Sequence, residues 1–397
     1  MKKKRKRLLA LVGFLMAIAA GGTAGFLMAK LMDDRGLISS DSGTGAFVWE
    51  LVPVLAVFLA LFYLGAFIHI IVHESGHLIF GMLTGYKFNS FRIGNRILIK
   101  SEQGLKWKKI HIRGTGGQCL MDPPDLRDAK MPYILYNLGG VIMNLLVSAV
   151  SFGIGLLIWN RHPYGAGCLM EIALLGMVYV LLNGIPAVIG GMPNDGYNIW
   201  TMRRSPEALH DFGIQMKINQ EVSKGRRLKE LPAQWFRLPS DQAMQNPLSA
   251  TIAVYASNRL MNEHRFEEAG KLMDKLLWSE SGMIELHRRL MICDRILCEL
   301  LEDPNEQILD ALLDQKQKKF MKAYGKELLP VIRTQYGLAL LREQDTQKGK
   351  MLREQFEKRA AVYPYDSDIQ CERELMELID TSFKRQKGLI PGPEKEN

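Results

Sequence analysis

The sequence predicts an all-α fold in two parts. One is a multi-pass membrane helix bundle of about four spans with a small membrane-proximal β segment. The other is a helical soluble C-terminal domain that resembles a tetratricopeptide array. Three observations predict this. Long apolar runs crowd the first 200 residues, while the remainder is charged and helix-forming. Basic clusters at Lys2 to Arg7 and Lys87 to Lys130 stand beside those runs, as cytoplasmic loops do. From Leu248 onward, apolar residues recur at helical spacing.

Residues 1–46 hold the basic end, an apolar run from Leu8 to Ala29 and a polar loop. Ala17-Ile18-Ala19 resembles a signal cleavage site, but the run has the length of an anchor and reads as a first membrane helix. Its basic end stays inside, which puts both termini of a four-span chain in the cytoplasm and the protein in the cell membrane. Residues 47–200 form the membrane-embedded core. Its spans are expected over about Val48 to Leu83, Tyr133 to Trp159 and Gly165 to Ile189, with Gly85 as a helix stop. Between the first two lie short strands, Phe88 to Ile93, Arg96 to Lys100 and Leu105 to Ile112, with a turn at Gly94-Asn95. This segment reads either as a solvated basic connector or as a small sheet whose free edge takes up an extended peptide. An amphipathic helix from Ile199 to Asn219 and a proline-spaced linker fill 201–247. Helical repeats occupy 248–383. Arg265-Phe266-Glu267-Glu268-Ala269 after a Tyr255 to Leu260 helix resembles a tetratricopeptide unit, with a weaker echo from Tyr336 to Pro364. Residues 384–397 read as a flexible tail.

The chemistry concentrates in the first of these core spans. His73-Glu74-Ser75-Gly76-His77 is a His-Glu-x-x-His pattern. Residues four apart share a helix face, so His73 and His77 can present two imidazoles to one metal ion. Glu74 sits beside that face, placed to take a proton from a metal-activated water. From Phe47 to Gly85 the ionisable side chains are Glu50, Tyr63, His69, His73, Glu74 and His77. Three ionisable groups within five residues at membrane depth are costly without a partner, and a metal ion is one. His69, one turn earlier, reads as a buried histidine bonded to a neighbouring carbonyl. A catalytic zinc takes three protein ligands and keeps one open position. Asp195 is the nearest carboxylate in the membrane half that can complete such a set; an Asn-Asp-Gly turn or a helix cap is the alternative reading of it.

Net charge is +9, but its placement beside apolar runs speaks for cytoplasmic loops and against nucleic acid. The five cysteines are scattered, with no Cys-x-x-Cys pair, which argues against a disulfide framework or a thiolate zinc site.

Taken together, three motifs in order resemble the site-2 protease family of intramembrane zinc metalloproteases, over about residues 48–200. They are His73-Glu74-Ser75-Gly76-His77, Gly140-Val141-Ile142-Met143-Asn144, and Asn183 to Pro186 followed by Asp195-Gly196. The resemblance implies Zn2+ held by His73, His77 and Asp195, with Glu74 as catalytic base. Asn144 and Asn183 would fall where the family's polar residues line the site and meet substrate. Two departures stand out: Val141 follows Gly140 where Gly-Pro is usual, and Ala187 to Gly191 lengthen the last motif. The implied activity is cleavage of a transmembrane or membrane-associated protein or peptide near the cytoplasmic leaflet, within the lipid bilayer. A protein partner on the C-terminal helices is also expected. The rival readings are a proteolytically inactive scaffold that recruits partners through those helices, and a metal transporter or sensor.

Overall fold

In the computed structural model, residues 44–101, 103–112, 115–124, 131–189, 191–302 and 304–391 are described, together with isolated positions before 44. The first expected span, Leu8 to Ala29, lies outside them apart from Gly21, Gly22 and Gly25. Three described helices contain stretches long and apolar enough to cross a membrane: Leu59–Leu83, Tyr133–Ile158 and Pro163–Gly184. The chain divides into two compact units.

The first unit begins with helix α1, Thr44–Leu83. It ends as Gly85 predicts. Gly85 takes φ +87°, Tyr86 N–H donates to the Gly81 carbonyl and Gly85 N–H to the Met82 carbonyl, which is the Schellman closure. Strand β1, Lys87–Ile93, follows and pairs antiparallel with a strand the sequence did not announce, Gly117–Asp122. In the second unit, Arg96–Ser101 and Gly104–Lys109, where short strands are expected, pair antiparallel. In chain order these strands are β2 and β3, and Gly117–Asp122 is β4.

Helix α2, Tyr133–Ile158, is built inside out. Its buried positions are mostly small or polar, including Asn137, Gly140, Asn144, Ser148, Ser151 and Gly155, at helical spacing. Leu145, Leu146, Val150, Phe152, Leu156 and Leu157 face outward. Large apolar residues outside and small ones inside suit a lipid surround, where close backbone approach holds helices together. At the contact with α1, a Cβ on Gly76 would lie 2.2 Å from the Gly139 carbonyl oxygen, and one on Gly139 2.4 Å from that of Gly76. Only glycine fits on either side.

Helix α3 runs Pro163–Gly184, shorter than the expected Gly165 to Ile189. Pro186 is the reason. A proline disfavours helical geometry in the residue before it, and Ile185 is extended at φ −79°, ψ 123°. The next residues form a two-stranded hairpin, β5 (Val188–Ile189) and β6 (Met192–Pro193). The expected amphipathic helix is two helices, α4 (Asp195–Arg204) and α5 (Pro206–Ser223), broken where Pro206 removes a backbone donor.

In the second unit, the proline-spaced stretch after α5 is packed: three short 3-10 turns bury Leu231 and Phe236 against Ile252 and Ala256. Helices α6 (Pro247–Asn262), α7 (Phe266–Trp278), α8 (Glu285–Leu301), α9 (Glu306–Leu312), α10 (Gln315–Tyr324), α11 (Leu329–Gly337), α12 (Thr346–Ala360) and α13 (Asp366–Gln386) follow. Their caps are local. Asn246, Asp314 and Asp345 accept from the backbone N–H groups of Leu248, Gln317 and Lys348. Met273, Ile296, Ile332, Phe356 and Ile379 lie in one continuous core. The helix α13 extends into the segment expected to be tail, while 392–397 lie outside the described residues.

Candidate metal and catalytic site

The His-Glu-x-x-His spacing does what a helix dictates. His73 and His77 stand one turn apart on α1, and their Nε2 atoms are 3.2 Å apart. Asp195, the first residue of α4, brings Oδ2 to 3.1 Å from His73 Nε2 and 3.5 Å from His77 Nε2. The three residues form the group of ligating side chains that could hold a metal ion among the described residues. Two ligands each about 2.05 Å from a tetrahedral zinc would be separated by roughly 3.3 Å, which the three distances bracket.

Proton accounting supports the fit. His77 Nδ1–H donates to the Tyr136 carbonyl at 2.7 Å, so its Nε2 carries the lone pair that faces Asp195. Asp195 Oδ2 is buried with no hydrogen-bond donor. Lone pairs and a carboxylate oxygen aimed at one point repel unless a cation lies between them. The donor set, two imidazoles and one carboxylate, is one that zinc takes in catalytic sites.

Asn144 of α2 reaches between two imidazoles, with Oδ1 3.0 Å from His69 Nδ1 and Nδ2 3.3 Å from His73 Nδ1. His69 Nε2 lies 2.7 Å from the Ile172 carbonyl, which can only accept, so His69 Nε2–H donates there. The two ends of an amide exchange by a half-turn, and the turned amide presents Oδ1 to His73 Nδ1–H and leaves His73 Nε2 free for a metal. The expected carbonyl partner of His69 is therefore Ile172, and His69 also steadies the residue that steadies a ligand.

Asn183 does not join this group. Its amide donates back to the Tyr179 carbonyl one turn earlier at 3.1 Å. The polar residue that shapes the last motif is Asn194. Its Oδ1 accepts from the backbone N–H groups of Ala187 and Tyr197, and its Nδ2 donates to the Leu182 and Ile185 carbonyls. Asn194 N–H also donates to the Ala187 carbonyl at 3.0 Å. The lengthening residues thus fold into the β5–β6 hairpin and return, so Asp195 emerges beside the end of α3. The approach is close: a Cβ on Gly196 would lie 2.3 Å from the Gly184 carbonyl oxygen. The cap reading weighed for Asp195 falls instead on its neighbour Asn194, whose Oδ1 accepts from Tyr197 N–H.

Glu74 is buried beside the three-residue group, with Gly117 of β4 against its side chain; a Cβ there would fall 2.5 Å from Glu74 Cγ. Gly140 makes similar room for His73, 2.4 Å from its Cε1. Tyr136 ties α2 to β4 by donating its hydroxyl to the Cys119 carbonyl at 2.9 Å. Burial, and then the nearby Glu74 carboxylate, push the Cys119 thiol above its ordinary value.

The sequence model of the family described as Peptidase family M50 matches residues 61–368, a stretch that includes all of these residues. No curated protein and no solved structure matches the chain.

Proposed function

Because the chain belongs to Peptidase family M50, the site-2 protease family of metalloproteases, we propose that it is a zinc endopeptidase that cuts transmembrane or membrane-associated polypeptides within the bilayer. The observation that carries this reading is the convergence of His73 Nε2, His77 Nε2 and Asp195 Oδ2 beside Glu74, with both histidines and Glu74 on a helix apolar enough to span a membrane.

Zinc held by His73, His77 and Asp195 would supply the Lewis acid that lowers the pKa of a water and polarises a peptide carbonyl. The chain's own residues do the rest. Glu74 accepts a proton from the attacking water and hands it to the leaving amine. Tyr136 and Asn144 hold the imidazoles in the tautomer that keeps Nε2 unprotonated. Apolar walls from α1, α2 and α3 keep bulk water off the site. A helical substrate shields its own carbonyls and must unwind locally before it is cut. Asn183, on the same helix end as the last motif, lines the route by which substrate enters.

Basic residues in 87–130 set this end of the bundle, and both termini, on the cytoplasmic side. The test of the site is Asp195→Ala in the full chain: zinc content measured by elemental analysis and cleavage of a co-expressed single-span protein should both fall sharply. Full zinc with full activity would remove Asp195 from the site. A reporter fused after Asn397 should read as cytoplasmic, and an outside reading would overturn the topology.

A further inference from the structure

The helical unit encloses a cavity of about 260 Å3, lined from α6, α8, α11, α13 and the turn after α5. That is close to the lower end of the range for ligand sites, roughly 300 Å3. Its lining is of two kinds. Val254, Leu290, Met291, Leu329, Pro330 and Leu375 give an apolar surface. Asp294, Asp368 and Glu372 give an acidic one, with Ser367 and His287 among them.

The charges do not balance. Arg333, fully buried, is shared by Asp294 and by Glu372, whose Oε2 accepts from Arg333 Nε at 2.9 Å. Arg227 is answered by Glu374 outside the cavity, through two hydrogen bonds of 2.6 Å. Among these groups four carboxylates face two guanidiniums, and Asp368 has neither. Three further atoms lack partners. Ser367 is buried, and its Oγ makes no hydrogen bond; nor do the buried Nδ1 of His287 and Nε of Arg227. Buried polar atoms left unpaired are rare, and here all three belong to residues that line one cavity with an uncompensated carboxylate.

A cationic side chain on an apolar stem matches that lining. Lysine and arginine lay their methylenes on apolar surface and carry the charge at the tip. We propose that this cavity binds a lysine or arginine side chain of a polypeptide partner, with Asp368 as its counter-ion and Ser367 Oγ as a hydrogen-bond acceptor. The sequence leads to the expectation of a protein partner on these helices, and this proposal names the side chain that partner would present. Nothing in this proposal depends on proteolysis.

Burial, then the neighbouring Glu372, push Asp368 up to about 7. Of the other titratable groups around it, burial pushes the Asp294 and Glu372 carboxyls up as well, against the pull of Arg333, so they act in the same direction as Asp368; Arg227 stays charged, burial holds His287 down to about 4, and burial pushes Cys371, Tyr255 and Tyr363 above their ordinary range. Binding should therefore tighten as pH rises from 6 to 8.

The test uses full-length protein in detergent and fluorescence anisotropy. The probe is a short labelled Gly/Ser peptide with a central Leu-Arg-Leu, alongside the same peptide with citrulline for arginine. The arginine peptide should bind, the citrulline peptide should bind at least tenfold more weakly, and Asp368→Asn should cost a similar factor, since hydrogen bonds to charged groups run about 1.5–3 kcal/mol. Asp368→Asn removes an unpaired charge, so it should fold; Ser367→Ala, a smaller change, should weaken binding a few-fold and serves as the second variant. Equal binding of the two peptides, or indifference to Asp368→Asn, would overturn the proposal. Acetyl-arginine amide competing as strongly as the peptide would overturn the polypeptide part of it. The Glu74→Gln protein should bind like the wild type, so failure here leaves the protease reading untouched.

Discussion

Replacing Glu74 by glutamine separates an enzyme from a scaffold more cleanly than any other single change. Glutamine has the outline of glutamate, which matters because Gly117 backs directly onto this side chain and leaves no room for a larger one. His73, His77 and Asp195 keep their positions, so metal occupancy should be unchanged. Lost is the acceptor for the water's proton. General-base removal costs on the order of a hundredfold to ten-thousandfold in rate, or about 2.7 to 5.5 kcal/mol in the barrier. Among the described residues Glu74 is the carboxylate beside the three-residue group that is not itself a proposed ligand, so the upper part of that range is expected. The assay is a single-turnover gel measurement of substrate cleavage, with zinc measured by elemental analysis on the same preparation. Zinc-loaded Glu74→Gln that cuts at the wild-type rate would refute the mechanism, and a protein that had no activity to lose would fit the scaffold reading instead.

Three other outcomes follow from particular contacts. Asn144→Leu removes the group that holds His73 Nδ1 and should lower zinc affinity about ten- to hundredfold, read by competition with a chromophoric chelator. Gly139→Ala puts a methyl about 2.4 Å from the Gly76 carbonyl and should force α1 and α2 apart; loss of folded protein in a detergent-stability assay is expected, and an unshifted melting temperature would contradict the packing. Asp368→Asn should change how stability depends on pH. The folded-state value of Asp368 is raised to about 7, so its contribution is present below about pH 4 and lost as pH rises through 7. The variant should be more stable than wild type at pH 8 by at most about 4 kcal/mol, with the difference shrinking toward pH 5, as pulse proteolysis of the full chain can show.

Local rules made much of the fold legible. Gly85 predicted a helix stop and supplies one, and the strand edges at Ile93 and Arg96 fall where Gly94 turns the chain. What escaped was long-range. Strand β4 was unreadable because Gly114 to Gly117 looks like a break, and its partner is β1 rather than its sequence neighbour β3. Pairing across such a distance leaves little mark on local composition.

The candidate site shows the same division more sharply. His73, Glu74 and His77 were legible because helix geometry alone brings four-apart residues together. Asp195 needed information from outside its own segment, because 117 intervening residues separate it from His77 and their path cannot be read from spacing. The structure supplies that path through residues whose role is positional. Asn194 closes the β5–β6 hairpin against Ala187 and caps α4, and Gly196 lets α4 touch the end of α3. The five added residues in the last motif are therefore absorbed between two points, Ala187 and Asn194, that hydrogen-bond to each other. An insertion there can vary in length without moving the carboxylate, whereas a change at Asn194 or Gly196 should move it. Those two residues, rather than the loop itself, are what hold the third ligand in register with the two histidines.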